Sequence, residues 1–201
     1  AKSAGITYAN IEIHSFPDGE SKVTLPAELI KASEQLIFYR SLNQPNDKLL
    51  ELILAAEGAR NLGTKKLILV APYMAYMRQD KAFNPGEVVS QTVVGKLLSE
   101  SFNGVITVDS HLHRIKQLSE AIPTEVSINL TAVEPMAQFL KQNIDKPFLL
   151  GPDEESRQWV EAIALYSQMD FCVATKQRRG DRDVKITLPE GKYKGRNMVL
   201  V

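Results

Sequence analysis

The run KLILVAPY, residues 66–73, carries apolar side chains at consecutive positions rather than at alternate ones. Such a run is typical of a strand that is buried on both faces, as in a parallel sheet. The run GVITVD, residues 104–109, has the same character. Apolar residues recur at helical spacing from about residue 47 to 62 and from about 87 to 101, so a predicted helix precedes each of these strands.

Strand and helix patterns continue to alternate on both sides of these elements. This alternation predicts βαβ units and mostly parallel sheets, which is an α/β fold. Thr131 and Glu134 have the spacing of a capping box, which predicts the start of a helix. Because the pattern restarts there, we expect two halves, residues 1–130 and 131–201, joined without a flexible linker.

Composition and charge exclude several classes of protein. The chain has 201 residues, and its 24 basic residues balance 24 acidic ones, so bulk charge gives no reason to bind nucleic acid or an anionic membrane. No apolar run approaches the length of a membrane span, and the first residues lack the apolar core of a signal peptide. The single cysteine, Cys172, excludes an internal disulfide and fits a cytoplasmic protein.

The chain lacks an initiator methionine and ends inside a predicted strand. We therefore expect that both ends have been cut.

Polar side chains follow four of the predicted strands. In parallel α/β sheets ligands bind beyond the carboxyl ends of the strands, so these are candidate site residues. They are Arg78, Gln79, Asp80 and Lys81; Asp109, His111 and His113; Asp153, Glu154 and Glu155; and Lys176, Arg178 and Arg179. Each set also has a plain structural explanation: solvated loops for the first and last, structural or exposed histidines, and a helix N-cap for Asp153.

Together these sets offer carboxylates and imidazoles for a hard divalent cation and fixed positive charge for phosphate groups. Those are the requirements of phosphoryl-type transfer. The sequence contains neither GxxxxGK[ST] nor GxGxxG, so a nucleotide would have to bind by another arrangement.

A further candidate is FPDGE, residues 16–20. Pro17, Asp18 and Gly19 are typical turn residues and predict a hairpin. A turn does not require the flanking Phe16 and Glu20. An aromatic face for a purine, and a carboxylate that accepts from its exocyclic amine, would account for both.

Five motifs together resemble the ribose-phosphate pyrophosphokinases, the synthetases of phosphoribosyl pyrophosphate. They are FPDGE at 16–20, PYMAYMRQDK at 72–81, VDSH at 108–111, GPD at 151–153 and KQRR at 176–179. The resemblance covers essentially the whole chain, and RQDKAFNPGE is similar to a variant branch of the family. It implies two similar Rossmann-like halves of the phosphoribosyltransferase type. It also implies magnesium-dependent transfer of the β,γ-diphosphoryl group of ATP to the anomeric hydroxyl of ribose 5-phosphate, in a homodimer or larger homo-oligomer.

The resemblance also implies a role for each matching residue. ATP would be bound by Phe16, Asp18, Gly19 and Glu20, contributed to a neighbouring subunit, and by Arg78, Gln79 and Asp80. Magnesium would contact His111 and Asp153, with Asp109 beside them. Lys176 and Arg178, on a mobile loop, would act on the transferring phosphoryl groups, and Arg178 and Asp153 would contact the ribose phosphate.

Two departures from the family pattern affect these implications. Glu154 and Glu155 follow Asp153 where many members have a glycine pair, and the loop that binds the ribose phosphate would come after Val201. The second half is therefore expected to be incomplete and the fragment inactive by itself.

Two other classes of function compete with an active synthetase. One is a non-catalytic relative that assembles with active subunits; the presence of Lys176 and Arg178 argues against it. The other is a salvage phosphoribosyltransferase, which would not carry the motifs at 16–20 and 78–80.

Overall fold

The computed structural model describes residues 3, 5–178, 184–191 and 193–201, with the side chain of Arg178 excepted. The chain is an α/β protein with mostly parallel sheets, as the alternating pattern predicted. It divides into two compact units, residues 1–130 and residues 131–201.

Unit 1 begins with an antiparallel hairpin, and a run of alternating helices and strands follows it. Its elements are β1 Glu12–Ser15, β2 Ser21–Thr24, α1 Ala27–Lys31, β3 Gln35–Tyr39, α2 Pro45–Asn61, β4 Lys66–Ala71, α3 Ser90–Ser101, β5 Gly104–Val108, α4 Leu118–Ala121 and β6 Val126–Leu130.

The main sheet of unit 1 has the order β3-β4-β5-β6, and every pair is parallel. Strands that are adjacent in this sheet are also consecutive in the chain. Because crossovers between parallel strands are right-handed, the connecting helices all lie on one face of the sheet. The hydrophobic core accordingly joins Leu67, Leu69 and Val105 of the sheet to Leu52 of α2 and Leu98 of α3. The opposite face is also apolar, and on the outer strands its side chains are exposed, with Tyr39 at 74%.

Unit 2 has a smaller parallel sheet and a second hairpin. Its elements are α5 Val133–Asn143, β7 Pro147–Gly151, a single 3₁₀ turn Glu154–Ser156, α6 Arg157–Ser167, β8 Asp170–Val173, β9 Thr175–Arg178, β10 Val184–Thr187 and β11 Asn197–Leu200. The sheet has the order β11-β7-β8, and β9 pairs with β10. Leu149 of β7 packs with Leu140 of α5 and with Val160 and Ile163 of α6. Within the described residues, no helix has both the length and the hydropathy needed to cross a membrane.

Three local details differ from the sequence predictions. The helix predicted from residue 87 begins at Ser90, because Glu87 closes a turn in which its carboxylate accepts from the backbone N–H of Phe83 at 2.7 Å. The capping box places the start of α5 wrongly, since Ala132 is the N-cap residue. The Glu134 carboxylate instead accepts from the Tyr166 hydroxyl at 2.7 Å.

The third difference concerns the basic segment after β8, which was expected to be a loop and begins with a strand, β9. Lys176 lies on β9, opposite Ile186 of β10. The backbone of Arg178 ends the same strand, and its side chain lies outside the described residues.

Candidate active site

The hairpin turn of unit 1 is built by the residues predicted to make it. The backbone N–H of Gly19 donates to the carbonyl oxygen of Phe16 at 2.9 Å, and the N–H of Phe16 donates to the carbonyl oxygen of Glu20 at 2.8 Å. Gly19 has φ +92°, which favours glycine. The Asp18 carboxylate accepts from the N–H of Glu20 at 3.2 Å. The turn therefore leaves the aromatic ring of Phe16 and the side chain of Glu20 exposed.

A polar network ties this hairpin to the rest of unit 1. Glu51 of α2 is 6% exposed and forms an ion pair with Arg40, which follows β3. The hydroxyl of Ser21, the first residue of β2, lies 3.4 Å from Oε1 of Glu51. Val23 and Leu25 also pack against the core. The orientation of the turn is thus set by contacts to α2.

The loop after β4 is held by α3. Met77 is buried, and its carbonyl oxygen accepts from the side-chain amide of Gln91 at 3.3 Å. The backbone N–H of Gln91 donates to the carbonyl oxygen of Gln79 at 3.2 Å. Tyr76 has φ +59°, a conformation that costs free energy and that surrounding contacts must maintain. These contacts hold the backbone on either side of Arg78, whose side chain is exposed.

Asp80 lies in the same loop, but its carboxylate is only 5% exposed. Oδ1 accepts from Nε of Arg114 at 3.3 Å. Oδ2 is buried and has no hydrogen-bond partner among the described residues. Asp80 therefore differs from Arg78, whose side chain is exposed.

The loop after β5 begins with a strained residue. Asp109 has φ +42°, and its backbone N–H donates to the carbonyl oxygen of Leu130 at 2.8 Å. The N–H of Ser110 donates to Oδ1 of Asn129 at 2.9 Å. The rings of His111 and His113 stack with centroids 5.7 Å apart. The two imidazoles are thus adjacent, one partly buried and one exposed.

In unit 2 the structure brings Asp153 and Lys176 together. Nζ of Lys176 lies 3.1 Å from Oδ2 of Asp153. Oδ1 accepts from the backbone N–H of Ser156 at 3.3 Å, so Asp153 is also the N-cap of the 3₁₀ turn. Asp153 therefore caps the 3₁₀ turn through Oδ1 and contacts Lys176 through Oδ2. The structural explanation and the functional one apply to the same carboxylate.

The two extra carboxylates after Asp153 are oriented differently from it. Glu154 forms a two-bond ion pair with Arg157, and in the second bond Nη2 of Arg157 donates to Oε2 of Glu154 at 2.9 Å. The hydrogen bond from Arg157 lowers the pKa of Glu154 below its ordinary value. Glu155 is exposed. Glu154 is therefore engaged with the helix that follows it.

Among the described residues, no group of three or more His, Cys, Asp or Glu side chains is arranged to hold a metal ion. The predicted magnesium residues lie in both units, with Asp109 and His111 in unit 1 and Asp153 in unit 2. Magnesium is commonly bound by one or two carboxylates together with substrate phosphates and water, rather than by a protein cage. The carboxylate of Asp153 fits that mode of binding.

Comparison with known proteins identifies the family. A model of the N-terminal domain of ribose phosphate pyrophosphokinase matches residues 1–101. The ribose-phosphate pyrophosphokinase of Saccharolobus solfataricus is 32% identical over 211 residues, which cover all of this chain and 68% of that protein. The chain belongs to the ribose-phosphate pyrophosphokinase family. The enzyme of that name from Methanopyrus kandleri is 33% identical over 196 residues, covering 96% of this chain and 65% of the relative.

The ribose-phosphate pyrophosphokinase fold is supported by a solved structure as well. Phosphoribosylpyrophosphate synthetase from Mycobacterium smegmatis matches with a TM-score of 0.74 and 17% identity, over 99% of this chain and 64% of that one. The chain thus spans about two thirds of the length of the family members it matches.

Gln91 and Arg114 contact the loop that follows β4, and sequence reasoning missed both of them. Gln91 was counted only as part of a helix, and Arg114 only as part of a loop. Arg114 could have been found from its position directly after the two histidines. Its contact with Asp80 spans 34 positions, and no local pattern predicts a contact of that kind.

Proposed function

We propose that this chain is the nucleotide-binding part of an active ribose-phosphate pyrophosphokinase, which converts ATP and ribose 5-phosphate to 5-phosphoribosyl 1-pyrophosphate and AMP. The observation that carries the proposal is the contact between Lys176 and Asp153. It joins two motifs that are 23 positions apart and sets a cation beside a carboxylate at the carboxyl end of β7. That is the edge where α/β sheets bind their ligands.

Lys176 has the properties required of a group that stabilises charge on the transferring phosphoryl groups. Its side chain is 41% exposed, and its ammonium forms an ion pair with Asp153, whose side chain is 20% exposed. An exposed ion pair is weak, so an incoming phosphate can replace the carboxylate as the partner of Lys176. Asp153 then becomes available to the cation that accompanies the phosphates. Arg178 is proposed to act from the same strand.

The nucleotide is proposed to contact unit 1 at two places. Arg78 and Gln79 would bind the phosphates and sugar, because Arg78 has no ion-pair partner within the described part of the chain and its backbone is fixed by Gln91. Phe16, Asp18, Gly19 and Glu20 would receive the adenine of ATP bound to another subunit. Asp80 is proposed to hold its loop in place rather than to contact ATP directly, because its carboxylate is almost fully buried.

Magnesium is proposed to enter with ATP and to be bound by Asp153, with His111 and Asp109 as further ligands. When bound, it would neutralise phosphate charge and orient the phosphate chain. The protein groups then hold the substrates in place, which is the main requirement of phosphoryl transfer. Function in the cytoplasm and assembly as a homo-oligomer belong to the same proposal.

The test is AMP formation from ATP and ribose 5-phosphate, with magnesium, in the full-length protein. Lys176→Ala is expected to reduce turnover about 1000-fold, within the range seen when one charge-stabilising group is removed. Lys185→Ala is the matched control: Lys185 is exposed on β10 but pairs with Gln177, so it lies on the opposite face of the same hairpin. Equal turnover in the two variants would refute the role of Lys176.

The same assay tests the alternative of a non-catalytic relative that assembles with active subunits. That alternative predicts ATP binding without AMP formation. It also predicts that AMP forms at an increased rate when the protein is mixed with an active synthetase.

A further inference from the structure

We infer that Arg114 is a positioning residue that fixes the loop of Arg78 and Gln79 relative to the loop of His111 and His113, through its ion pair with buried Asp80. The nucleotide part of this inference rests on the proposed function. The two loops follow the adjacent parallel strands β4 and β5. A contact between them therefore sets the spacing of the groups on either side of the candidate site.

The ion pair is asymmetric in its burial. The Asp80 side chain is 5% exposed, whereas the Arg114 side chain is 42% exposed. Burying a carboxylate is unfavourable unless a positive charge or hydrogen bonds compensate it. Within the described residues Oδ2 has no partner, so the bond from Arg114 to Oδ1 is the main compensation. The buried position of Asp80 thus depends on Arg114.

Each partner is attached to a segment that cannot move freely. On the Asp80 side, the preceding residue Gln79 is hydrogen-bonded to α3 through its backbone, and Met77 is buried. On the Arg114 side, the flanking residues Leu112 and Ile115 pack against the core. Because both ends are anchored, the ion pair transmits a change in one loop to the other.

Loss of Arg114 would leave the Asp80 carboxylate buried without compensation. The carboxylate would then turn toward water, and Gln79 would move with it. A substitution that also removes the charge of Asp80 removes the reason for this rearrangement. A positioning role therefore predicts that Asp80→Asn rescues Arg114→Met, whereas direct contact of either side chain with the nucleotide predicts no rescue.

The histidines provide a spectroscopic signature that needs no ligand. The chain has three, His14, His111 and His113, and His14 lies in the hairpin, where its ring contacts Phe16. In the ligand-free protein, we expect Arg114→Met to shift the imidazole NMR signals of His111 and His113 and to leave those of His14 unchanged. We expect the double variant Asp80→Asn/Arg114→Met to restore both signals.

The second measurement is MgATP affinity by calorimetry on the same full-length proteins. Arg114→Met is expected to weaken binding about tenfold, which corresponds to about 1.4 kcal/mol, and the double variant to recover most of the loss. Arg60→Met is the matched control, since Arg60 also donates one bond between two elements, to the carbonyl oxygen of Ser101 at 3.0 Å, but at the other end of the helices.

The two measurements separate the possible failures. Unshifted His111 and His113 signals in Arg114→Met, or no restoration in the double variant, would overturn the inference whether or not ATP binds. Shifted and restored signals in a protein that does not bind MgATP would support the coupling of the loops and refute the proposed function instead.

Discussion

Substitution of Gly95 by alanine should destabilise unit 1 strongly, although Gly95 lies inside a helix, where alanine is normally favoured. A Cβ atom at Gly95 would lie 1.8 Å from the backbone carbonyl oxygen of Ala121 and 2.8 Å from its carbonyl carbon. Real Cβ atoms essentially never approach closer than 3.0 Å. Helix α3 and the C-terminal end of α4 would therefore have to separate by about 1.2 Å, the difference between 3.0 and 1.8 Å, in a packed core.

The size of the effect follows from two opposing terms. Overpacking that moves backbone should cost about 3–4 kcal/mol here, just above the usual range of about 1–3 kcal/mol, because a carbonyl group cannot rotate away. Replacing glycine by alanine in a helix returns about 1 kcal/mol. We expect a net loss of about 2–3 kcal/mol in the free energy of unfolding, or about 8 °C in the melting temperature.

Gly58→Ala is the matched control, because Gly58 also lies inside a helix of unit 1. Its added Cβ would meet Cδ1 of Leu25 at 2.9 Å, the end of a flexible side chain that can change rotamer. Urea unfolding of both variants gives the comparison, with Gly58→Ala expected within about 1 kcal/mol of the wild type. If Gly95→Ala is as stable as Gly58→Ala, the close approach of α3 to Ala121 is incorrect.

Three further predictions concern the loops of unit 1. Arg40→Met should lower the free energy of unfolding by about 2 kcal/mol, because it leaves the buried Glu51 carboxylate unpaired. The double variant Arg40→Met/Glu51→Leu should recover this loss. A double variant no more stable than Arg40→Met would contradict the prediction. The pKa of Glu87 is lowered, mainly by the hydrogen bond from the Asn84 side chain, so its stabilising effect exists above its ordinary pKa of 4.5 and is lost as the pH falls through the lowered pKa. The stability difference between wild type and Glu87→Gln should therefore be present at pH 7 and decrease as the pH falls below 4.5, as measured by urea unfolding across pH. A difference that does not change with pH would count against this. Gly19→Ala should lower the free energy of unfolding by about 1 kcal/mol through the φ of +92° alone, since no atom lies within 4 Å of the added Cβ. Thermal unfolding followed by circular dichroism should show a smaller loss for Gly19→Asn. Equal stability of Gly19→Ala and the wild type would contradict the turn geometry.

The sequence predicted the elements of the fold whose patterns are local. Consecutive apolar residues in KLILVAPY and GVITVD marked the two central strands, and the turn residues Pro17, Asp18 and Gly19 marked the hairpin. These signals work because a strand buried on both faces, or a turn with positive φ, restricts the choice of residue at each position.

The details that escaped prediction depend on contacts between distant residues. A solvated loop was the plain structural explanation for residues 78–81, yet Met74, Ala75 and Met77 of the same loop are buried. Their burial depends on α3, through Gln91, and on the core beneath the sheet. The ion pair between buried Asp80 and Arg114 is of the same kind, because no residue near either of them in the sequence indicates that they are in contact.

The strand order of unit 1 has a consequence for how the chain folds during synthesis. Each strand of the main sheet pairs with the next one to leave the ribosome, so every addition closes a short loop and the sheet can grow in the order of translation. The hairpin β1–β2 is the exception: it precedes the main sheet in the chain, but the helix that carries Glu51, its anchor, appears some 30 residues later. The candidate adenine-binding turn should therefore acquire its final orientation only after α2 has docked, although it is synthesised before that helix.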